Sequence, residues 1–186
     1  MEAEKAAIAE LKSGQIDGLR YLVESYQAQA VQAATLIIRD GSVAEEIVQE
    51  AFMRVYERIY QFDPHYSFKP WFFRIVINLA IQVAKKRRRS VSLEEHEETI
   101  EIEMVDQLEV TSFRPEDYAE QQEIREQIQR ALDQLTPIQR AIVVKRYFLD
   151  FSDQELANEL DLVPGTIRWH LSIARRRLRW LLSFNR

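Results

Sequence analysis

The amino-acid sequence predicts an all-α protein made of two small helical domains joined by an acidic linker. Three observations lead there. Four glycines and five prolines in 186 residues leave too little turn chemistry for a β-rich fold. Apolar residues recur at three- and four-residue spacing on both sides of the middle of the chain. The middle itself, Ser90 to Glu120, carries eleven carboxylates against the single Arg114, as a solvated spacer would.

Taken in order, Met1 to Lys12 places Glu2, Glu4 and Glu10 among alanines, with no apolar run long enough for a signal peptide or membrane span. An unexported, cytoplasmic chain without membrane insertion is expected. Leu19, Leu22, Val23, Tyr26 and Ala30 line one face of a first helix, which Asp40-Gly41 interrupts. A second helix is predicted from Ser42 as N-cap with Glu45 three residues on. Its stripe is Val43, Ile47, Val48, Ala51, Phe52, Val55 and Ile59, and its outer face presents Glu45, Glu46, Gln49 and Glu50. Phe62 to Pro70 reads as a loop, since Pro64 and Pro70 push their predecessors away from helical geometry. A third helix is expected from Trp71 to about Arg88, burying Phe72, Ile75, Val76, Leu79 and Val83 and running into Lys85, Lys86, Arg87, Arg88 and Arg89. Cations suit a helix C-terminus, but five in a row exceed what capping requires.

Beyond the linker, Ile124, Ile128, Leu132 and Leu135 mark a helix that ends before Thr136-Pro137. Thr136 as N-cap, Pro137 at the first position and Gln139 then restart another. Ser152 with Glu155 forms a second capping box over Leu156, Ala157 and Leu160. Asp161-Leu162-Val163 turns the chain, and Pro164 opens a helix buried through Ile167, Leu171, Ala174, Leu178 and Leu181. The predicted division is a three- to four-helix domain over 1–89, a linker over 90–115 and a helix-turn-helix domain over 116–186.

Charge and motif content then bound the function. A hydrophobic share of 46% with 30% charged residues is a globular balance. The absence of cysteine excludes a disulfide scaffold, a thiolate zinc site and a Cys nucleophile. His65, His96 and His170 share no metal-ligand spacing, so no metal or other cofactor is expected. No nucleophile-base set or phosphate-cradling glycine loop suggests an enzyme. The net charge of −5 would oppose nucleic-acid binding if it were evenly spread. It is not. Besides the basic run at 85–89, no carboxylate side chain follows Asp161, whereas Arg168, Arg175, Arg176, Arg177, Arg179 and Arg186 do. A helix after a three- to four-residue turn is how helix-turn-helix proteins enter the major groove. With Ile167, Leu171, Ala174 and Leu178 inward, Arg168, Ser172, Arg175 and Arg179 fall together outward, where guanidinium groups reach phosphates or guanine edges, and Arg176 flanks them. An operator-binding regulator acting without a partner would account for this half but leaves Ala44 to Arg89 unexplained.

The ordered motifs resemble the extracytoplasmic-function sigma factors, the small sigma factors of bacterial RNA polymerase that retain only regions two and four. Ala44-Glu45-Glu46-Ile47-Val48-Gln49-Glu50-Ala51-Phe52, then Phe62, then Phe68-Lys69-Pro70-Trp71-Phe72-Phe73-Arg74-Ile75 and Asn78-Leu79, look like region two. Gln154-Glu155-Leu156-Ala157, Pro164-Gly165-Thr166-Ile167-Arg168 and Ala174-Arg175 look like region four. The resemblance implies that Glu45, Glu46, Gln49 and Glu50 face the clamp helices of the largest polymerase subunit, although Glu50 and Arg54 also fit a simple pair along the helix. It implies that Phe62, Tyr66, Phe68, Lys69, Trp71, Arg74 and Asn78 capture the opened strand at the minus-ten element, although Trp71, as an aromatic at a helix start, fits the core better. Lys85 to Arg89 would then grip duplex, and Thr166, Arg168, Trp169, Ser172, Arg175, Arg176 and Arg179 the minus-thirty-five element. The implied partners are core RNA polymerase (clamp helices and second-largest-subunit flap), promoter DNA and an anti-sigma factor. Trp169, His170 and Ile173 stand where the family is usually polar or basic. Promoter elements about 25 base pairs apart lie ~85 Å apart. A flexible coil of roughly thirty residues spans about 30 Å, and a fully extended one about 100 Å, so Ser90 to Arg114 is expected to run extended.

Overall fold

The computed structural model describes residues 2–91, 118–160 and 162–183, with side chains left undescribed at 88–91, 118–123, 125, 126 and 181–183. The predicted linker therefore lies outside the described residues except for 90 and 91. Among the described residues the elements are α1 (Glu2–Lys12), α2 (Asp17–Ile38), α3 (Gly41–Arg58), a 3₁₀ turn (Ile59–Gln61), α4 (Phe68–Val91), α5 (Tyr118–Asp133), α6 (Pro137–Tyr147), α7 (Asp153–Leu160) and α8 (Pro164–Ser183).

The N-terminal segment is a packed helix, which its alanine-rich sequence did not signal. Ala7, Ile8 and Leu11 bury one face of α1 against α2. The approach is close because residue 18 is glycine: a Cβ there would lie 2.1 Å from the Ala7 carbonyl oxygen. Gly14, at φ +87°, makes the turn between the two helices in a conformation that other residues adopt at a cost.

Two helix starts differ from expectation. The N-cap of α3 is Asp40, whose extended backbone brings its carboxylate 3.1 Å from the Val43 N–H, so Ser42 already lies inside the helix. The third helix begins at Phe68 instead of Trp71, and Pro70 sits within its first turn. The first N–H groups of a helix have no intrahelical partner, so a proline there removes nothing. The loop shrinks to residues 62–67. Both predicted capping boxes in the second half form, Thr136 with Gln139 and Ser152 with Glu155.

Around α2, α3 and α4 the buried residues include Leu22, Ile37, Val48, Val55, Phe72, Phe73 and Ile77. Phe72 stacks on Phe52 at 4.6 Å between ring centroids, which joins α3 to α4. Around α6, α7 and α8 they are Ile142, Leu156, Ile167, Leu171 and Ala174. Ile128, on the expected apolar stripe of α5, is 41% exposed, whereas among the described side chains of that helix Ala131 and Leu132 are buried.

The two halves also pack on each other, α6 meeting α2 and α4, and α5 meeting α2. Arg140 of α6 closes the junction. One guanidinium nitrogen donates to the Ile37 carbonyl at 2.6 Å, and the other reaches the Asp133 and Leu135 carbonyls at the end of α5. Arg39, left-handed at φ 61° where α2 ends, pairs with Asp133. The carbonyls left open by two helix C-termini are thus gathered by one cation.

Candidate nucleic-acid interface

Four surfaces carry the residues singled out by the sequence. On α3, Glu45, Glu46, Gln49 and Glu50 all point to solvent. Glu50 accepts from Arg54 Nε at 2.8 Å, a surface pair worth a few tenths of a kcal/mol at ~0.3–0.5. The structure adds what the sequence reading missed. Met53, Tyr56 and Tyr60 are 54%, 43% and 70% exposed beside these acids. The spacing Met53, Tyr56, Tyr60 is the signal that could have found them, since it makes a second apolar stripe running from α3 into the 3₁₀ turn.

The second surface is the 62–67 loop with the start of α4. Two of the aromatic residues expected to meet bases do not reach solvent. Phe62 and Phe68 are buried, and they pack at a tilt against Trp71 at 5.2 and 5.7 Å between centroids. Phe68 also meets Tyr26, so these rings fix the loop to the core and cannot present a face to a base. Trp71 is half-buried, in keeping with its double reading. Tyr66, in contrast, is 73% exposed at the loop tip. Asp63 shapes that tip by accepting from the His65 backbone N–H at 3.0 Å, and that bond first, with the contact to the His65 ring second, holds its carboxyl below the usual range. Lys12 of α1 donates to the Phe62 carbonyl at 2.6 Å and so ties the loop to the first helix. Lys69 lies half-buried, its ammonium 6.0 Å from the Phe73 ring centre.

The third surface runs along α4. Arg74, Asn78, Gln82 and Lys85 are exposed at four-, four- and three-residue spacing, so they share one face leading from the loop into the basic run. Lys86 and Arg87 are exposed as well, and Arg87 donates to Asp40 at 3.0 Å. Arg88 and Arg89 lie in α4, with side chains outside the described residues.

The fourth surface is α8. Arg168, Trp169, Ser172 and Arg175 are exposed, whereas Thr166, Arg176 and Arg179 are partly covered. Arg175 Nε donates back to the Leu171 carbonyl at 3.2 Å, which turns that guanidinium along the helix. His170 is half-buried and edge-on to Trp169. Desolvation pushes its pKa below the ordinary imidazole range, leaving it neutral near pH 7. Behind the helix-turn-helix, Lys145 is 1% exposed, pairs with Glu159 and lies 5.8 Å from the Phe151 ring centre. Burial lowers its pKa, and Glu159 resists that shift. No periodicity argument predicts a lysine in the core. Among the described residues no group of His, Cys, Asp and Glu has the arrangement of a metal site, and no helix is long and apolar enough to cross a membrane.

A helix-turn-helix with a basic outer face, beside a helical module bearing an aromatic loop and a second cationic face, defines a DNA-binding transcription protein. Comparison with known proteins narrows the class. Residues 22–90 match the Sigma-70 region 2 family and residues 125–178 the Sigma-70 region 4 family. The chain is 30% identical over 166 residues to the ECF RNA polymerase sigma factor RpoE of Cereibacter sphaeroides, covering 86% of this chain and 85% of that one. It is 29% identical over 176 residues to SigW of Bacillus subtilis, covering 94% of each. The fold is similar to that of CnrH in complex with the cytosolic domain of CnrY (TM-score 0.71, 21% identity, 99% of both chains). It is also similar to RpoE bound to the anti-sigma factor NepR from Bartonella quintana (TM-score 0.65, 24% identity, 92% of this chain and 99% of that one). The chain belongs to the extracytoplasmic-function sigma factors of RNA polymerase. It is a transcription initiation factor that works with core polymerase at promoters.

Proposed function

We propose that the four surfaces divide the work of promoter opening among them. The acidic and aromatic face of α3 docks on the clamp helices of the largest polymerase subunit, where carboxylates meet a basic partner and Met53, Tyr56 and Tyr60 supply apolar area. The 62–67 loop and the Arg74–Asn78 face hold bases of the opened non-template strand at the minus-ten element. The Lys85 to Arg89 run grips the adjoining duplex, and α8 enters the major groove at the minus-thirty-five element while its domain contacts the flap of the second-largest subunit. Residues 1–89 and 116–186 act as the two domains, and the intervening linker spans the distance between the promoter elements. Work with polymerase places the protein in the cytoplasm, under the control of an anti-sigma factor that holds both domains.

One observation carries this reading: Tyr66 stands exposed on a loop whose frame is pinned by Phe62, Phe68 and Lys12. A factor that melts DNA without ATP must recover the unstacking energy by binding what it exposes, and an aromatic held in place loses little entropy on stacking a base. Run-off transcription with core polymerase on promoter DNA tests it. Tyr66→Ala should lower open-complex formation by about five- to a hundredfold, the equivalent of ~1–3 kcal/mol per base. Wild-type initiation with no loss in that variant would contradict the assignment.

A further inference from the structure

Arg177 is an arginine of α8 that the DNA-binding face does not use. It lies nine residues beyond Arg168, about half a turn round the axis at 3.6 residues per turn, on the side away from Arg168, Ser172 and Arg175. There it lines a cleft of about 540 Å³ at the junction of the two halves, together with Arg87 of α4 and Arg140 of α6. Asp133 is the one carboxylate among the lining residues, and it is already engaged by Arg39 and, at 3.6 Å, by Arg140. Arg87 is paired with Asp40 at 3.0 Å. Four guanidiniums thus meet two carboxylates, which leaves two positive charges over. Among the described residues Arg177 pairs with no carboxylate. The backbone adds to the surplus. Carbonyls at the C-termini of α2 and α5 would oppose an anion, but Arg140 takes those of Ile37, Asp133 and Leu135. The start of α6, at Thr136 and Pro137, opens on the same cleft and turns the positive end of its dipole toward it.

We propose that this cleft binds a small phosphorylated ligand between Arg87 and Arg177, and that the bound ligand holds the two halves of the protein together. The cleft has the size of a small-molecule site. Guanidiniums present paired donors in a planar fork that matches phosphate oxygens, and they stay charged at any working pH. Gln134 and Thr136 add neutral polar groups to the wall. Duplex DNA on the exposed face of α8 lies across the helix from Arg177, so its phosphates do not compete for that side chain. Arg87 belongs to the first half and Arg177 to the second, so a ligand that bridges them binds the packed arrangement in preference to a parted one. Such a ligand shifts the population toward the packed form. Promoter elements ~85 Å apart require the halves to part, so the ligand opposes engagement of core polymerase. That consequence rests on the proposed span of the linker between the promoter elements; the site itself does not.

Inorganic pyrophosphate in magnesium-free buffer is the probe, and titration calorimetry on the full-length protein is the first measurement. Arg177→Gln should weaken binding by roughly tenfold, the size of one hydrogen bond to a charged group. Arg177→Lys keeps the charge without the fork and should fall between that variant and wild type. Arg168→Gln, across the helix, should bind pyrophosphate as wild type does. No binding at millimolar pyrophosphate, or equal weakening by Arg168→Gln and Arg177→Gln, would overturn the site, the latter because it marks diffuse attraction to basic side chains. The second measurement is affinity for core polymerase with and without saturating pyrophosphate. Wild type should bind core at least about fivefold more weakly with it, the low end of a coupling between two sites. Arg177→Gln should lose that difference while keeping wild-type run-off transcription in the absence of pyrophosphate. Binding through Arg177 that leaves core affinity unchanged would overturn the clamp. Wild-type protein that fails in run-off with or without pyrophosphate would sink the promoter-opening reading and leave the calorimetric test of the site standing.

Discussion

Lys145→Ala is the substitution whose consequence the structure fixes most tightly. The side chain is 1% exposed and its ammonium is held by Glu159, itself only 9% exposed at the side chain. Removing the lysine takes away a buried aliphatic stem against Phe151 and leaves Glu159 as a buried carboxylate without its paired ammonium. Breaking a buried pair in this way costs about 3–5 kcal/mol, far more than an exposed pair such as Glu50 with Arg54. Glu159 sits on α7 and Lys145 on α6, so the loss falls on the packing that presents α8 to DNA. Hydrogen exchange reads it directly. Amides of α6, α7 and α8 should exchange at least about a hundredfold faster, from ~3 kcal/mol at 1.4 kcal/mol per factor of ten, while those of α2 and α3 change little. Replacing both partners by Met and Leu should restore most of the protection, since an apolar pair of similar volume avoids two desolvation costs. Less than fivefold acceleration in Lys145→Ala would mean that Glu159 finds water or another cation, and the buried-pair argument would fail.

Three further outcomes follow from the same geometry. Gly18→Ala places a methyl 2.1 Å from the Ala7 carbonyl, so α1 must shift or detach, at a cost of about 1–3 kcal/mol, visible as a lowered thermal midpoint. Asp40 is held below the usual carboxylate range by the Val43 N–H first and by Arg87. Its folded pKa is depressed, so the stability it contributes is present above the ordinary carboxylate value and is lost as pH falls through its lowered one. Asp40→Asn keeps the cap and should flatten this part of the acid-unfolding curve, and an unchanged curve would count against the contact. Asp133→Ala removes the partner of Arg39 at the junction of the two halves. Small-angle scattering should then show a larger radius of gyration, whereas an unchanged radius would assign the junction to apolar packing and Arg140 alone.

Much of the fold was legible because helices are written in local signals. Thr136-Pro137 with Gln139, and Ser152 with Glu155, close their capping boxes between residues three apart, and nothing distant can add to or remove that geometry. Pro70 misled for the opposite reason. A proline disfavours a helix through it but not a helix beginning just before it, and only the packing of Phe68 against Tyr26 settles which occurs. Among the site residues, the outward faces of α3 and α8 followed from period alone. The loop did not. Phe62, Tyr66 and Phe68 are alike in sequence and opposite in exposure, because the core that takes two of them is built from α1, α2 and α4.

The sequence by itself therefore determined helices α2 to α8, the capping boxes at Thr136 and Ser152, the helix-turn-helix and the placement of acidic and basic faces, all of which depend on interactions within a few residues. Tertiary structure alone decided that α1 packs on the loop, that Lys145 is buried with Glu159, and that of the loop's aromatic residues Tyr66 meets solvent while Phe62 and Phe68 do not. Those outcomes turn on which surfaces the chain brings together across tens of residues. Burial is a property of neighbours, and the residues that make a side chain a neighbour are not written beside it.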